Sequence, residues 1–184
     1  MEVSSAGAST PAPLVVVMGV SGSGKTTVGD PLASRLGVDY GEADEFHPAS
    51  NIAKMEAGTP LDDHDREPWL KAIGVWLAEH GDRGAVATCS ALKRSYRDLL
   101  RAQAPETVFL HLQAAREVLE ERMTTRKGHF MPASLLDSQL ETLEDLEADE
   151  AGFEIENTIP PDEIVNRFVD WFEEHRTAPE ESTT

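Results

Sequence analysis

The chain is short of cysteine, of long apolar runs and of positive charge. Cys89 is the one cysteine among 184 residues. No internal disulfide can form, which points to a reducing compartment, the cytoplasm. No apolar run approaches the ~18 residues that a membrane-spanning helix needs, and mean hydropathy is −0.36. Only 16 Lys and Arg stand against 34 Asp and Glu, a net charge of −18. A surface of that sign repels nucleic acid and anionic membranes, so neither is expected as a partner. Residues 1–13 lack the basic start and apolar centre of a signal peptide. They and residues 177–184 are small, polar and proline-containing, the composition of disordered tails. The length between them, 14–176, suits a single domain.

Scarce cations make their placement informative. Lys93, Arg94, Arg97, Arg101, Arg116, Arg122, Arg126 and Lys127 are eight of the sixteen, whereas Gly128 to Asn166 holds none and carries eleven Asp or Glu. The acidic stretch reads as a solvated face. The basic window is where an acidic protein that handles an anion would gather its charge.

What is present begins with Gly19, Val20, Ser21, Gly22, Ser23, Gly24, Lys25 and Thr26, a complete G-x-x-x-x-G-K-[ST] loop directly after the apolar run Leu14–Met18. The glycines let backbone N–H groups turn inward around phosphate oxygens, and a helix start, including Thr27, directs its positive end at the anion. Lys25 would reach the β- and γ-phosphates of a nucleoside triphosphate, and the Thr26 hydroxyl would ligate Mg²⁺.

Around the loop the pattern alternates strand and helix. Strands are predicted at 14–18, 38–41, 85–88, 107–112 and 153–155. Helices are predicted at 24–36, 51–57, 65–80, 91–101, 114–126, 134–146 and 160–175, with Gly37 as the first helix's stop and Pro31 bending it. This is an α/β chain with a parallel five-stranded sheet and helices on both faces. Trp69 and Trp76 read as core, and His64 and His80 as surface.

Ligands of open α/β sheets bind at the carboxyl ends of the strands. Phosphoryl transfer to an alcohol needs a carboxylate for the acceptor hydroxyl and cations for the moving group. Asp44, after the second strand, suits the carboxylate role or a helix N-cap. Glu42 suits metal-bound water or a plain strand end. Arg122 and Arg126, one turn apart, suit a triphosphate or a solvated pair with Glu121. Residues 122–133, with Gly128 and Pro132, read as a lid that excludes water. His47, Arg66 and Lys71 lie in a polar helical insertion at about 45–81. Taken singly, each suits a site or plain surface; Lys93 follows the third strand, and His129 follows the fourth strand and its helix.

Several segments resemble the small P-loop gluconokinases, relatives of shikimate kinase and the nucleoside monophosphate kinases. They are Met18–Thr26, Asp44-Glu-Phe-His-Pro48, Asn51–Met55, Gly58–Leu61, Asp65–Leu70, Cys89-Ser-Ala-Leu-Lys93, Tyr96–Leu100, Arg126-Lys-Gly-His-Phe130 and Gln139–Leu143. The resemblance runs from about residue 14 to 175. It implies ATP-dependent phosphorylation of D-gluconate to 6-phosphogluconate, feeding the pentose phosphate route, by a homodimer. It also implies the three-layer P-loop kinase fold with a lid segment, that Asp44 orients the acceptor, that 51–80 is the sugar-acid side and that 122–130 is the lid, and it makes His47, Arg66, Lys71, Lys93, Arg97 and His129 the donors available to the carboxylate and hydroxyls of gluconate. Ala43 replaces an expected Gly, Glu42 stands where shikimate kinases carry Asp, and Pro31 is unexpected. The alternatives are a same-fold kinase of another small acid such as shikimate, and a non-catalytic nucleotide switch.

Overall fold

The computed structural model describes residues 12–125 and 133–176. Five strands, β1 (Leu14–Met18), β2 (Asp39–Glu42), β3 (Ala85–Thr88), β4 (Val108–Gln113) and β5 (Gly152–Glu156), form one sheet in the order β2-β3-β1-β4-β5. Every neighbouring pair is parallel, because a helix returns the chain to the same edge between strands. The central strand β1 is buried at all its positions, which is why it is written without a polar residue.

Alternation along β1 divides the core in two. Val15 and Val17 pack with Val28 and Leu32 of α1 (Lys25–Leu36) and Phe168 of α7 (Pro161–Arg176). Leu14, Val16 and Met18 face the other way. They pack with Trp69, Leu70 and Ile73 of α3 (Asp63–Glu79) and Leu100 of α4 (Arg94–Gln103). The remaining helices are α2 (Ala49–Glu56), α5 (Arg116–Thr125) and α6 (Ala133–Thr142). The three-layer expectation and the strand and helix order agree with this arrangement.

Boundaries differ where local chemistry intervenes. Gly37 ends α1 as expected, with φ 67°, and the Val38 N–H donates to Ala33 O at 3.0 Å. Pro31 sits inside α1, which continues to Leu36. Helix α3 starts two residues early because Asp62 and Asp65 form a reciprocal cap: the Asp65 N–H donates to Asp62 Oδ1 at 2.7 Å and the Asp62 N–H to Asp65 Oδ2 at 3.1 Å. Helix α4 starts late because Ala91 takes a left-handed φ of 45°. Helix α6 ends at Thr142 rather than 146.

His80, expected at the surface, is buried. Its Nδ1 lies 2.7 Å from Trp76 O and its Nε2 lies 3.0 Å from Asp39 Oδ2, so it ties the end of α3 to β2. The tails at 1–11 and 177–184, and residues 126–132 of the expected lid, lie outside the described residues. Among the described residues no helix is long and apolar enough to cross a membrane.

Candidate active site

The loop 19–26 leaves β1 and enters α1. Gly24 occupies the N-cap position at φ 92° without a side-chain cap, which leaves the first N–H groups of α1 open toward an anion. The carbonyls of the loop are held from outside. Arg122 Nη1 donates to Gly22 O at 3.1 Å and its Nη2 to Asn157 O at 2.8 Å, while Asn157 Nδ2 donates to Ser23 O at 2.6 Å. Lys25 Nζ donates to Gly19 O at 3.0 Å and Val20 O at 3.1 Å, which folds its charge over the loop. A Cβ on Gly24 would lie 2.4 Å from Asn157 Nδ2, so that glycine is required by contact as well as by φ.

A cleft lies on each side of the loop. One, of about 350 Å³, is lined by Ser21, Lys25, Thr26, Glu42, Asp44, Trp69, Thr88, Ser90 and Gln139, among others. The other, of about 360 Å³, is lined by Gly22, Gly24, Thr27, Arg122, Asn157, Ile159 and Pro161.

In the first cleft Glu42 Oε1 accepts from Tyr40 Oη at 2.5 Å and Oε2 from Thr88 Oγ1 at 2.8 Å. Burial raises the carboxyl's pKa, but the hydrogen bonds from Tyr40, Thr88 and Thr26 and the Lys25 charge outweigh it. Glu42 is held below the usual carboxylate range. Burial and the same Glu42 contact push the Tyr40 phenol well above its usual value. Glu42, Asp44 and the Thr26 hydroxyl thus present oxygen donors beside Lys25, the ligand chemistry of a hard cation such as Mg²⁺.

Asp44 lies within a short 3-10 turn, Ala43–Phe46, and is exposed. It caps neither this turn nor α2, whose cap positions are Glu42 and Pro48. The turn is fastened by Trp69, whose Nε1 donates to Ala43 O at 2.7 Å. His47 stacks on the same indole, with centroids 4.3 Å apart and planes 11° apart. Burial lowers the pKa of His47, and nearby Arg66 adds to that while Asp44 opposes it. Asn51, fully buried, sets the ring from behind: its Nδ2 donates to Asp65 O at 2.9 Å and lies 3.3 Å from His47 Nδ1.

Arg66 and Lys93 converge on Tyr96. Arg66 Nη1 donates to Tyr96 Oη at 3.2 Å, and Lys93 Nζ lies 5.4 Å from the ring centroid. Tyr96 Oη and Lys93 Nζ both donate to the Asp63 carboxylate, at 2.5 Å and 3.1 Å. His47 therefore stands beside the cleft wall at Trp69, whereas Arg66 and Lys93 meet at Tyr96, and none of the three is among the residues that line the cleft. Lys71 joins neither group: it is exposed and pairs with Glu67 at 2.8 Å.

Arg97 corrects the sequence reading. It is fully buried and does not line the cleft. Its Nε donates to Glu150 Oε1 at 2.7 Å, Nη2 to Glu150 Oε2 at 3.1 Å and Nη1 to Ala91 O at 2.9 Å. A guanidinium can be buried only with its charge matched and its donors used, and here it props the strained turn at Ala91 behind Ser90. Arg126 and His129 lie outside the described residues.

Residues absent from the sequence-based site are Trp69, Asn157 and Gln139. Gln139 Oε1 accepts from the Ser21 N–H at 2.7 Å and its Nε2 donates to Ser21 Oγ at 3.1 Å. Gln139 sits in one of the resembling segments, and that was its only signal. Asn157 follows the edge strand β5 and carries no local motif.

A parallel sheet with a phosphate loop after its central strand, flanked by two clefts, defines a P-loop kinase fold. The shikimate kinase family model matches residues 21–172. Gluconokinase of Gluconobacter oxydans is 47% identical over 86% of this chain and 90% of its own length. The thermosensitive gluconokinase of Escherichia coli is 46% identical over 73% of each. The crystal structure of a gluconokinase from Sinorhizobium meliloti superposes with a TM-score of 0.80 at 47% identity, covering 89% of this chain and 93% of that one. The chain belongs to the shikimate kinase family, among its gluconokinase members.

Glu150 generates a test of the buried brace. Burial raises its pKa, but Arg97, the Glu147 N–H and Arg101 outweigh that and lower it. A lowered folded pKa contributes stability that is present above the unfolded value of about 4.3 and lost as pH falls through the folded one. Glu150→Gln is expected to cost about 3–5 kcal/mol at neutral pH, because Arg97 is left charged and buried. It should also flatten the acid limb of stability. Urea unfolding across pH 3–7 measures both; an unchanged acid limb would contradict the assignment.

Proposed function

We propose that this chain is an ATP-dependent gluconokinase that transfers the γ-phosphoryl group to a hydroxyl of D-gluconate, giving 6-phospho-D-gluconate. The observation that carries the reading is that Lys25, Asp44 and Trp69 line one cleft in a chain 47% identical to a gluconokinase over 86% of its length. In this reading the nucleoside end of ATP lies in the second cleft, along Arg122, Asn157, Ile159 and Pro161, and gluconate enters the first.

The loop N–H groups and Lys25 bind the phosphates, and Lys25 follows the transferring group into the transition state. Asp44 accepts a hydrogen bond from the acceptor hydroxyl, aims its oxygen at the γ-phosphorus and takes its proton as the bond forms. Thr26 and Glu42 would hold Mg²⁺, which when bound neutralises phosphate charge. His47, Arg66 and Lys93 meet the carboxylate and hydroxyls of the sugar acid, with His129 and Arg126 contributed by the lid. The cytoplasm is the compartment, which suits a buried, reduced Cys89. A homodimer follows the family resemblance, and exposed Ile52 and Met55 on α2 are apolar surface that a second copy would cover. The product enters the pentose phosphate route.

An assay coupled to 6-phosphogluconate, run beside a panel containing shikimate, tests the reading. Turnover on gluconate is expected; turnover on shikimate alone would replace it with the reaction for which the family model is named. Asp44→Asn should lower kcat by about 10²–10⁴, and a loss confined to KM would make Asp44 a binding residue instead. Lys25→Ala should abolish turnover with folding intact by circular dichroism, and a near-native rate would remove it from the mechanism.

A further inference from the structure

One polar cluster lies apart from both clefts. His111 on β4 stands directly opposite Glu154 on β5 in the parallel register. Asp145, in the segment between α6 and β5, completes the group. One ligand atom from each of the three lies within 4.8 Å of the others. His111 is buried, 1% exposed, and its Nδ1 has no hydrogen-bond partner among the described residues. That nitrogen faces the carboxylate, 3.4 Å from Glu154 Oε2. Gln113 Nε2 donates to the same carboxylate at 2.5 Å. Arg97 Nη2 donates to Asp145 O at 3.2 Å, fixing the backbone there.

From this geometry we propose that His111, Asp145 and Glu154 form a structural binding site for a borderline divalent transition ion, with Zn²⁺ the best fit. The site is separate from the Mg²⁺ position at Thr26. Tetrahedral Zn²⁺ with bonds of about 2.1 Å places neighbouring ligand atoms about 3.4 Å apart, the separation of His111 Nδ1 and Glu154 Oε2. Asp145 is exposed, so its side chain can close the remaining gap, and water takes the fourth position. One imidazole with two carboxylates suits Zn²⁺ rather than Mg²⁺, which requires near-octahedral oxygen donors and sheds water reluctantly. Gln113 serves as the outer partner that orients Glu154. The nearby charge of Arg97 is already matched by Glu150.

The ion would join three things that surround the phosphate loop. Among the described residues strand β5 is the sheet edge, paired with β4 alone, and it leads to Asn157, which holds Ser23. Helix α6, just before Asp145, carries Gln139 onto Ser21. Clamping β4, β5 and the Asp145 segment braces both supports.

The test uses the full chain, stripped with chelator and free of nucleotide, dialysed against buffered Zn²⁺ and assayed by elemental analysis. One equivalent per chain and a rise in Tm are expected, with Co²⁺ in its place giving the intense visible absorption of a tetrahedral site. Glu154→Gln and His111→Gln should each weaken binding at least about tenfold and abolish the rise in Tm, while Asp44→Asn leaves both intact. Should His111→Gln not fold, Glu154→Gln and Asp145→Asn, at more accessible positions, decide the matter. Absence of bound Zn²⁺, or undiminished binding in those two variants, would overturn the proposal.

Discussion

A phosphate loop works only if its N–H groups point at the ligand while its carbonyls point away and are satisfied elsewhere. Three side chains satisfy those carbonyls, Arg122 and Asn157 from outside the loop and Lys25 from within it. Arg122 takes Gly22 O, Asn157 takes Ser23 O, and Lys25 takes Gly19 and Val20 O. They come from three places in the sequence, and the sheet order brings them together: β4 beside β1 places α5 with Arg122 next to the loop, and β5 beside β4 delivers Asn157. The Asn157 N–H in turn donates to Gln113 O at 2.7 Å, so the clamp is continuous with the sheet.

The Asp44 side of the first cleft follows a different logic. Its polar residues are exposed or half-buried, and their positions are set by an aromatic wall. Trp69 is packed in the core at one face, hydrogen-bonds the turn that carries Asp44 and stacks against His47. A buried indole is rigid and keeps its N–H partner, so the carboxylate and the imidazole are placed by one side chain. The reciprocal cap at Asp62 and Asp65 fixes where α3 begins and hence where Trp69 stands. Lys54, bound to the Asp65 carboxylate at 2.8 Å, ties α2 to the same point.

Much of this was legible in the residues. The run Leu14–Met18 could only be a strand covered on both faces, and it is. The loop motif carried its own strand and helix context. Gly37 stopped α1 because only a residue without Cβ adopts φ 67° at no steric cost. The misreadings have a common cause. Arg97, Lys93 and Arg66 look alike in a sequence, all basic and near a motif. Yet Arg97 faces inward from α4 to a buried carboxylate 53 positions later, and no local pattern announces such a partner. His80 was misjudged for the same reason, since its partner Asp39 lies across the fold on β2.

The sequence by itself determined the sheet, its helical layers and the phosphate loop, because periodicity and glycine placement are local properties written into short windows. It also marked the segments that carry Asp44 and Arg122. Only the tertiary structure decided that Arg97 serves the core, that Trp69 is a wall of the first cleft, and that Asn157 and Gln139 hold the loop. Those roles depend on burial and on partners distant in the chain. The strength of a charge or a hydrogen bond is set by what surrounds it after folding, not by its neighbours in sequence.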